Sequence, residues 1–235
     1  MEQKQENAFL SLALNIIIPS FILMKLSDES GLGPVKSLLI ALAFPIVYGL
    51  YDFFDRKKLN FISLLGLISI SLTGIFTIIK LPAHWIAVKE AFIPGLIGIA
   101  IIGSMQTKFP LIEKLLFNES IINTKLVHTK LTELENELAF HALLNRSSYL
   151  LASSFFLSSA LNFILAKVIL TAEPGSVSFN EQLGKMTALS WPVIVLPSTV
   201  IMGIALWQLV KGLKKLTGLE LEQILKAQPE KPKQK

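Results

Sequence analysis

WIAVKEAFIPGLIGIAIIGSMQTKFPLIEKLLF, Trp85 to Phe117, decides the reading of this chain. It opens as an apolar run long enough to cross a bilayer. It carries Lys89 and Glu90 near its entry and Pro94 one turn later, and it leaves through a short basic amphipathic segment. A charge at the centre of a spanning helix costs roughly 2.5–3.5 kcal/mol on insertion scales. Two charges beside a proline are therefore expected to have a structural or functional use.

The surrounding composition points to lipid as the solvent. The chain has 235 residues, 52% of them hydrophobic and 17% charged, and its mean hydropathy is +0.58. Soluble domains carry about a quarter charged residues. The apolar residues come in long blocks, which marks helices that are apolar all round. A net charge of +5 does not indicate nucleic acid, because the basic residues flank apolar blocks, where topology determinants sit. Cysteine is absent, which excludes disulfides, thiolate metal sites and a cysteine nucleophile.

These features predict an all-α, polytopic transmembrane bundle with six spans, at about 9–26, 35–54, 59–81, 84–105, 147–170 and 191–213. Each approaches the roughly 20 residues needed to cross about 30 Å. The first is read as a retained helix, since LMKLSDESG follows it and no small-x-small cleavage pattern does. The short KLPAH link makes spans three and four an antiparallel hairpin. The six spans form a single domain, 1–213, with a cytoplasmic helical loop at 106–146, and 214–235 is a cytoplasmic tail. Lys4, Arg56, Lys57, Lys58, Lys108, Lys114, Arg146 and the C-terminal lysines fall on one side, fewer on the other. Both termini are thus expected in the cytoplasm of a bacterium, with the chain in the inner membrane.

Two stretches between spans have their own pattern. In the loop, Val127, Leu131, Leu134 and Leu138 follow at i, i+4, i+7 and i+11, a seam for the membrane surface or a partner helix. Thr171 to Ser190 reads as a polar outer loop. Near the C-terminus, Thr217 and Glu220 suit a capping box opening a helix over 219–227.

Lys89 and Glu90 lead the candidate site. Adjacent helical residues point about 100° apart, so each is expected to need a different partner. Lys89 can snorkel, lying about 6 Å from the helix start. Glu90 can bridge to Lys167, which sits at similar depth on span five. Pro94 also removes the helical donor for the Glu90 carbonyl. Asn15 and Asn162 supply amides near membrane depth, and Pro19, Pro45, Pro94 and Pro197 interrupt spans, a pattern shared by solute sites and by ordinary kinked bundles. Asp52, in YGLYDFFDRKKLNF, either joins an interfacial anchor or sets the local geometry of the basic cluster. The three histidines lie far apart in sequence and have no metal spacing. No phosphate loop or nucleophile elbow is present, so neither an enzyme nor a cofactor is expected.

WIAVK at 85–89, KFPLIEKLL at 108–116 and LNRSSYLLASSFFLSSALNFILA at 144–166 resemble the intracellular septation protein A inner-membrane family. The resemblance covers roughly 36–170, with Trp85, Lys89, Pro110 and Leu111 on its motif. YDFFDRKKLNF and LNIIIPSFIL fit its uncharacterised bacterial relatives better. The resemblance implies an inner-membrane protein linked to division and envelope synthesis, without a known reaction and with no catalytic residue to carry over. Glu90, Pro94, the 119–146 insertion and the tail depart from that pattern. One reading is thus a non-enzymatic protein supporting envelope or septation machinery, meeting envelope or division partners through 119–146. The other is a small transporter or channel using Lys89 and Glu90, acting as a homodimer because six short spans enclose little volume.

Overall fold

A computed structural model describes residues 8–56, 61–107, 110–119 and 121–225, with the backbone alone at 8–9, 52–56 and 61–67. The described chain is helical: α1 (Ala8–Leu12), a π-helical turn (Ala13–Ile17), α2 (Ile18–Lys25), α3 (Pro34–Arg56), α4 (Phe61–Ile78), α5 (Ala83–Ser104), α6 (Leu111–Leu115), α7 (Thr124–Glu133), α8 (Glu137–Ile169), α9 (Val177–Ser190), a second π-helical turn (Trp191–Val195), α10 (Leu196–Thr217) and α11 (Leu221–Ile224). Among the described residues the sole β feature is an isolated antiparallel bridge between Ile122 and Leu225.

Among the described residues, four helical stretches are long and apolar enough to cross a membrane: Pro34–Tyr51, Ala83–Ser104, Glu137–Ile169 and Val177–Thr217. Helices suit that solvent because they satisfy every backbone group internally. Two further apolar stretches lie in Leu10–Lys25 and in α4, whose side chains are described over Ile68–Ile78.

Both π-helical turns stop just short of a proline, Pro19 and Pro197. A proline ring clashes with the carbonyl four residues back and offers it no donor. Widening the preceding turn to i→i+5 bonding relieves that conflict. Pro45 and Pro94 sit inside α3 and α5 without such a turn.

The chain divides into two compact units, one built from the residues up to Pro94 with Ser158–Leu196, the other from Gly95–Leu157 with the residues from Pro197 onward. In the first, Leu23, Leu38, Ala41, Ile86, Ala166 and Phe179 form the core. In the second, Ile101, Ile112, Val127, Leu131, Leu144, Leu209, Leu213 and Ile224 do so.

Two expectations need correction. Thr171–Ser190 is not a loop throughout. Ser176 accepts a hydrogen bond from the Phe179 amide and caps α9, which buries Phe179, Leu183 and Met186 on one face. Ser178, Glu181, Gln182 and Lys185, which made the segment read as polar, lie outside that face, whereas Asn180 is buried with it. α8 starts at Glu137, ahead of the expected span at 147–170, and Phe140 and Leu144 continue its buried face back into the connection. Glu220, not Thr217, caps the last helix, in a reciprocal box with Gln223. The Thr217 hydroxyl instead donates to the Leu213 carbonyl.

The seam at 127–138 is split. Val127 and Leu131 are buried in the second unit's own core, whereas Leu134 and Leu138 are exposed. The described part of the C-terminal segment folds onto this connection, with the Asn123 amide donating to the Ile224 carbonyl at 2.8 Å. Leu219 and Ile224 are buried there.

Candidate functional site

α4 ends at a tight turn in which Lys80 adopts a left-handed conformation (φ 54°), and α5 begins at Ala83. The two helices form the expected antiparallel hairpin. Counting from that turn, Lys89 comes level with Thr73, and Ser69 lies one helical turn deeper.

The Lys89 ammonium sits in this hairpin, 8% exposed. It donates to the Thr73 hydroxyl at 2.7 Å and lies 3.0 Å from both the carbonyl and the hydroxyl of Ser69. Glu90 Oε1 stands 2.8 Å away. An ammonium has three protons, and four oxygens surround this one. Two expectations therefore fail. Lys89 does not snorkel outward, because its ammonium reaches toward Ser69, away from the turn. Lys89 and Glu90 do pair with each other. The 100° between neighbouring residues separates their Cβ directions, but the lysine's four-carbon stem and the glutamate's own flexibility bring the charged tips together.

The next residue is anchored from another direction. The Ser159 hydroxyl on α8 donates to the Ala91 carbonyl at 2.7 Å. Lys89 and Ala91 thus tie one turn of α5, just before Pro94, to α4 and α8.

The remaining candidates do not converge on this turn. Lys167 is exposed, and its ammonium lies over the Phe163 ring, 5.7 Å from the centroid. Asn15 donates back to the Ser11 carbonyl at 2.8 Å, and Asn162 back to the Ser158 carbonyl at 2.8 Å. Each amide satisfies its own helix, the usual outcome for a short polar side chain with an i−4 carbonyl in reach. Asp52 lies in α3, with its side chain outside the described part. Among the described residues no group of three His, Asp or Glu could hold a metal ion. Cavities of about 220 Å³ beside Asn123 and Lys125 and about 90 Å³ beside Thr77 and Lys80 include neither Lys89 nor Glu90.

Ser69 and Thr73 were missed from the sequence, although Ser69, Thr73 and Thr77 fall at i, i+4 and i+8 in an apolar helix. A second buried polar cluster was also missed. Asn180 on α9 is fully buried and donates to the Pro34 carbonyl at 2.6 Å and to the Ser27 hydroxyl at 3.2 Å. Ser27 in turn lies 3.0 Å from the Ser37 hydroxyl. Its contacts fasten α9 to the turn that follows α2 and to the start of α3. Asn180→Leu is expected to lower stability by about 1–3 kcal/mol, the cost of orphaning a buried acceptor; the denaturation midpoint in detergent checks it.

No family model, curated protein or solved structure matches the chain.

Proposed function

We propose that the chain is a non-enzymatic protein of the bacterial inner membrane that supports envelope or septation processes through helix contacts. In this reading the apolar stretches at Leu10–Lys25 and in α4 also cross, giving six spans with both termini in the cytoplasm, as the lysine and arginine bias favours. The carrying observation is the saturation of Lys89. Its ammonium is neutralised and hydrogen-bonded within the hairpin by Glu90, Ser69 and Thr73. Such a group fixes helices against one another and offers no free cation to a solute. Contacts with envelope or division proteins then fall to the exposed part of the 119–146 connection, at Leu134 and Leu138.

A transporter or channel, working as a homodimer, is the second reading. It is favoured by Glu90, a carboxyl group within a spanning helix that keeps 23% of its side-chain surface exposed. Proteoliposomes with a pH-sensitive dye inside separate the two. Contact function predicts no proton or monovalent-cation flux above empty liposomes, for the wild-type chain and for Glu90→Gln alike. A flux that Glu90→Gln abolishes in folded protein would establish the transporter instead.

A further inference from the structure

One face of α10 changes character along its length. Val200, Ile204, Trp207 and Lys211 follow at i, i+4, i+7 and i+11, with Lys214 and Lys215 one turn on, so they share a stripe of the helix. Val200, Ile204 and Trp207 are 60%, 47% and 62% exposed, and Lys211 and Lys215 are exposed too. The opposite face carries Ala205, Leu209 and Leu213, all fully buried in the unit's core. The stripe is therefore apolar, then aromatic, then cationic. At 1.5 Å per residue, Val200 to Trp207 rises about 10 Å and Trp207 to Lys211 about 6 Å more.

The Lys211 ammonium lies 4.8 Å from the Trp207 ring centroid. Lys214 is paired with Glu220, which leaves Lys211 and Lys215 as the stripe's outward cations. Neighbouring α8 marks the same depth. Asn136 donates to the Leu216 carbonyl, and Leu143 packs where a Cβ on Gly212 would lie, which sets the two helices antiparallel. Arg146, one turn beyond Leu143 and exposed, then comes level with Leu209, between Trp207 and Lys211. Indole rings favour the headgroup level of a membrane, and basic side chains there attract anionic lipid.

We infer that this face of α10 binds an anionic phospholipid, its acyl chain along Val200 and Ile204, its glycerol region against Trp207, and its phosphate at Lys211 and Lys215. Charge complementarity selects the occupant, because a zwitterionic lipid brings a choline cation to the same lysines. The assignment rests on α10 crossing the bilayer and is independent of whether the protein transports anything, so it and the contact function fail separately.

Tryptophan quenching tests it on the full chain in phosphatidylcholine vesicles containing one part in ten phosphatidylglycerol, with brominated acyl chains on one lipid or the other. The Trp207 component is the difference between the wild-type chain and Trp207→Phe. That component should report a relative affinity for phosphatidylglycerol over phosphatidylcholine of roughly five- to thirtyfold, as two headgroup-level lysines imply, which raises its share of the contacting lipid from about one in ten to between about one third and three quarters. Lys211→Gln/Lys215→Gln should bring enrichment to about one, and Lys211→Arg/Lys215→Arg, the control for folding, should keep it. Bulk-level quenching in the wild-type chain, or enrichment that survives the double glutamine variant, overturns the assignment.

Discussion

Lys89→Ala should destabilise the protein by about 3–5 kcal/mol, the range for removing one partner of a buried ion pair. The loss has three parts. The Glu90 carboxylate, only partly exposed, is left without its cation. The Thr73 hydroxyl and the Ser69 carbonyl and hydroxyl lose a charged donor. The tie between α4 and α5 disappears from the level of Thr73. Glu90→Gln should cost less, because Lys89 keeps its three oxygen acceptors on α4 and the new amide oxygen can still accept. Lys89→Met with Glu90→Leu should lie closest to the wild type, since replacing both charges with apolar groups of similar volume removes the desolvation cost along with the attraction. Midpoints of denaturant-induced unfolding in micelles give the order directly. If Lys89→Ala costs under about 1 kcal/mol, the ammonium reaches water and the clamp is wrong. If the double variant is as unstable as Lys89→Ala, the pair contributes through something other than mutual neutralisation.

How far this arrangement was readable differs from group to group. The apolar blocks marked the helices because hydropathy is a property of a segment and needs no partner. The Lys89–Glu90 stretch announced a demand for partners, since buried charges are costly wherever they sit. It did not say which partners, because serine and threonine barely alter the hydropathy of a span, and because Cβ direction is a poor guide to where a long side chain ends. α9 was obscured by averaging. Asn180, Glu181, Gln182 and Lys185 make 177–190 polar as a segment, yet Phe179, Leu183 and Met186 still mark one buried helical face. The seam at Val127 and Leu131 was visible as a seam, but periodicity shows only that a face is covered. That the chain's own second core covers it depends on where α8, α10 and α11 run, which no local pattern encodes. The resemblance across 36–170 supplied no residue of the Ser69–Thr73–Lys89 cluster beyond Lys89 itself.

Gly184→Val should be the most damaging of the glycine substitutions in the first unit. A Cβ at Gly184 would stand 2.9 Å from the Ser20 carbonyl oxygen, 2.8 Å from Met24 Cγ and 3.0 Å from Leu23 Cβ. The methionine can swing aside, but the Ser20 oxygen belongs to the backbone of α2 and cannot. The helices must therefore separate, and overpacking of this kind typically costs about 1–3 kcal/mol. Here separation has a second consequence. Asn180 lies one turn before Gly184 on α9, and its amide reaches Ser27 and Pro34. Pushing α9 away from α2 lengthens those bonds inside a dry interior, at about 1–3 kcal/mol for the groups left unpaired. The combined loss should approach about 4 kcal/mol, with Gly184→Ala intermediate. Gly203→Val is the control: nothing lies within 4 Å of its added Cβ, so its change should stay within about 0.5 kcal/mol. Unfolding midpoints of the three variants decide the matter. Equal midpoints for Gly184→Val and Gly203→Val would mean that α2 and α9 do not meet at Gly184. A large loss for Gly184→Val that persists unchanged when Asn180→Leu is added would show that the two act through one contact, and strict additivity would show that they act through separate ones.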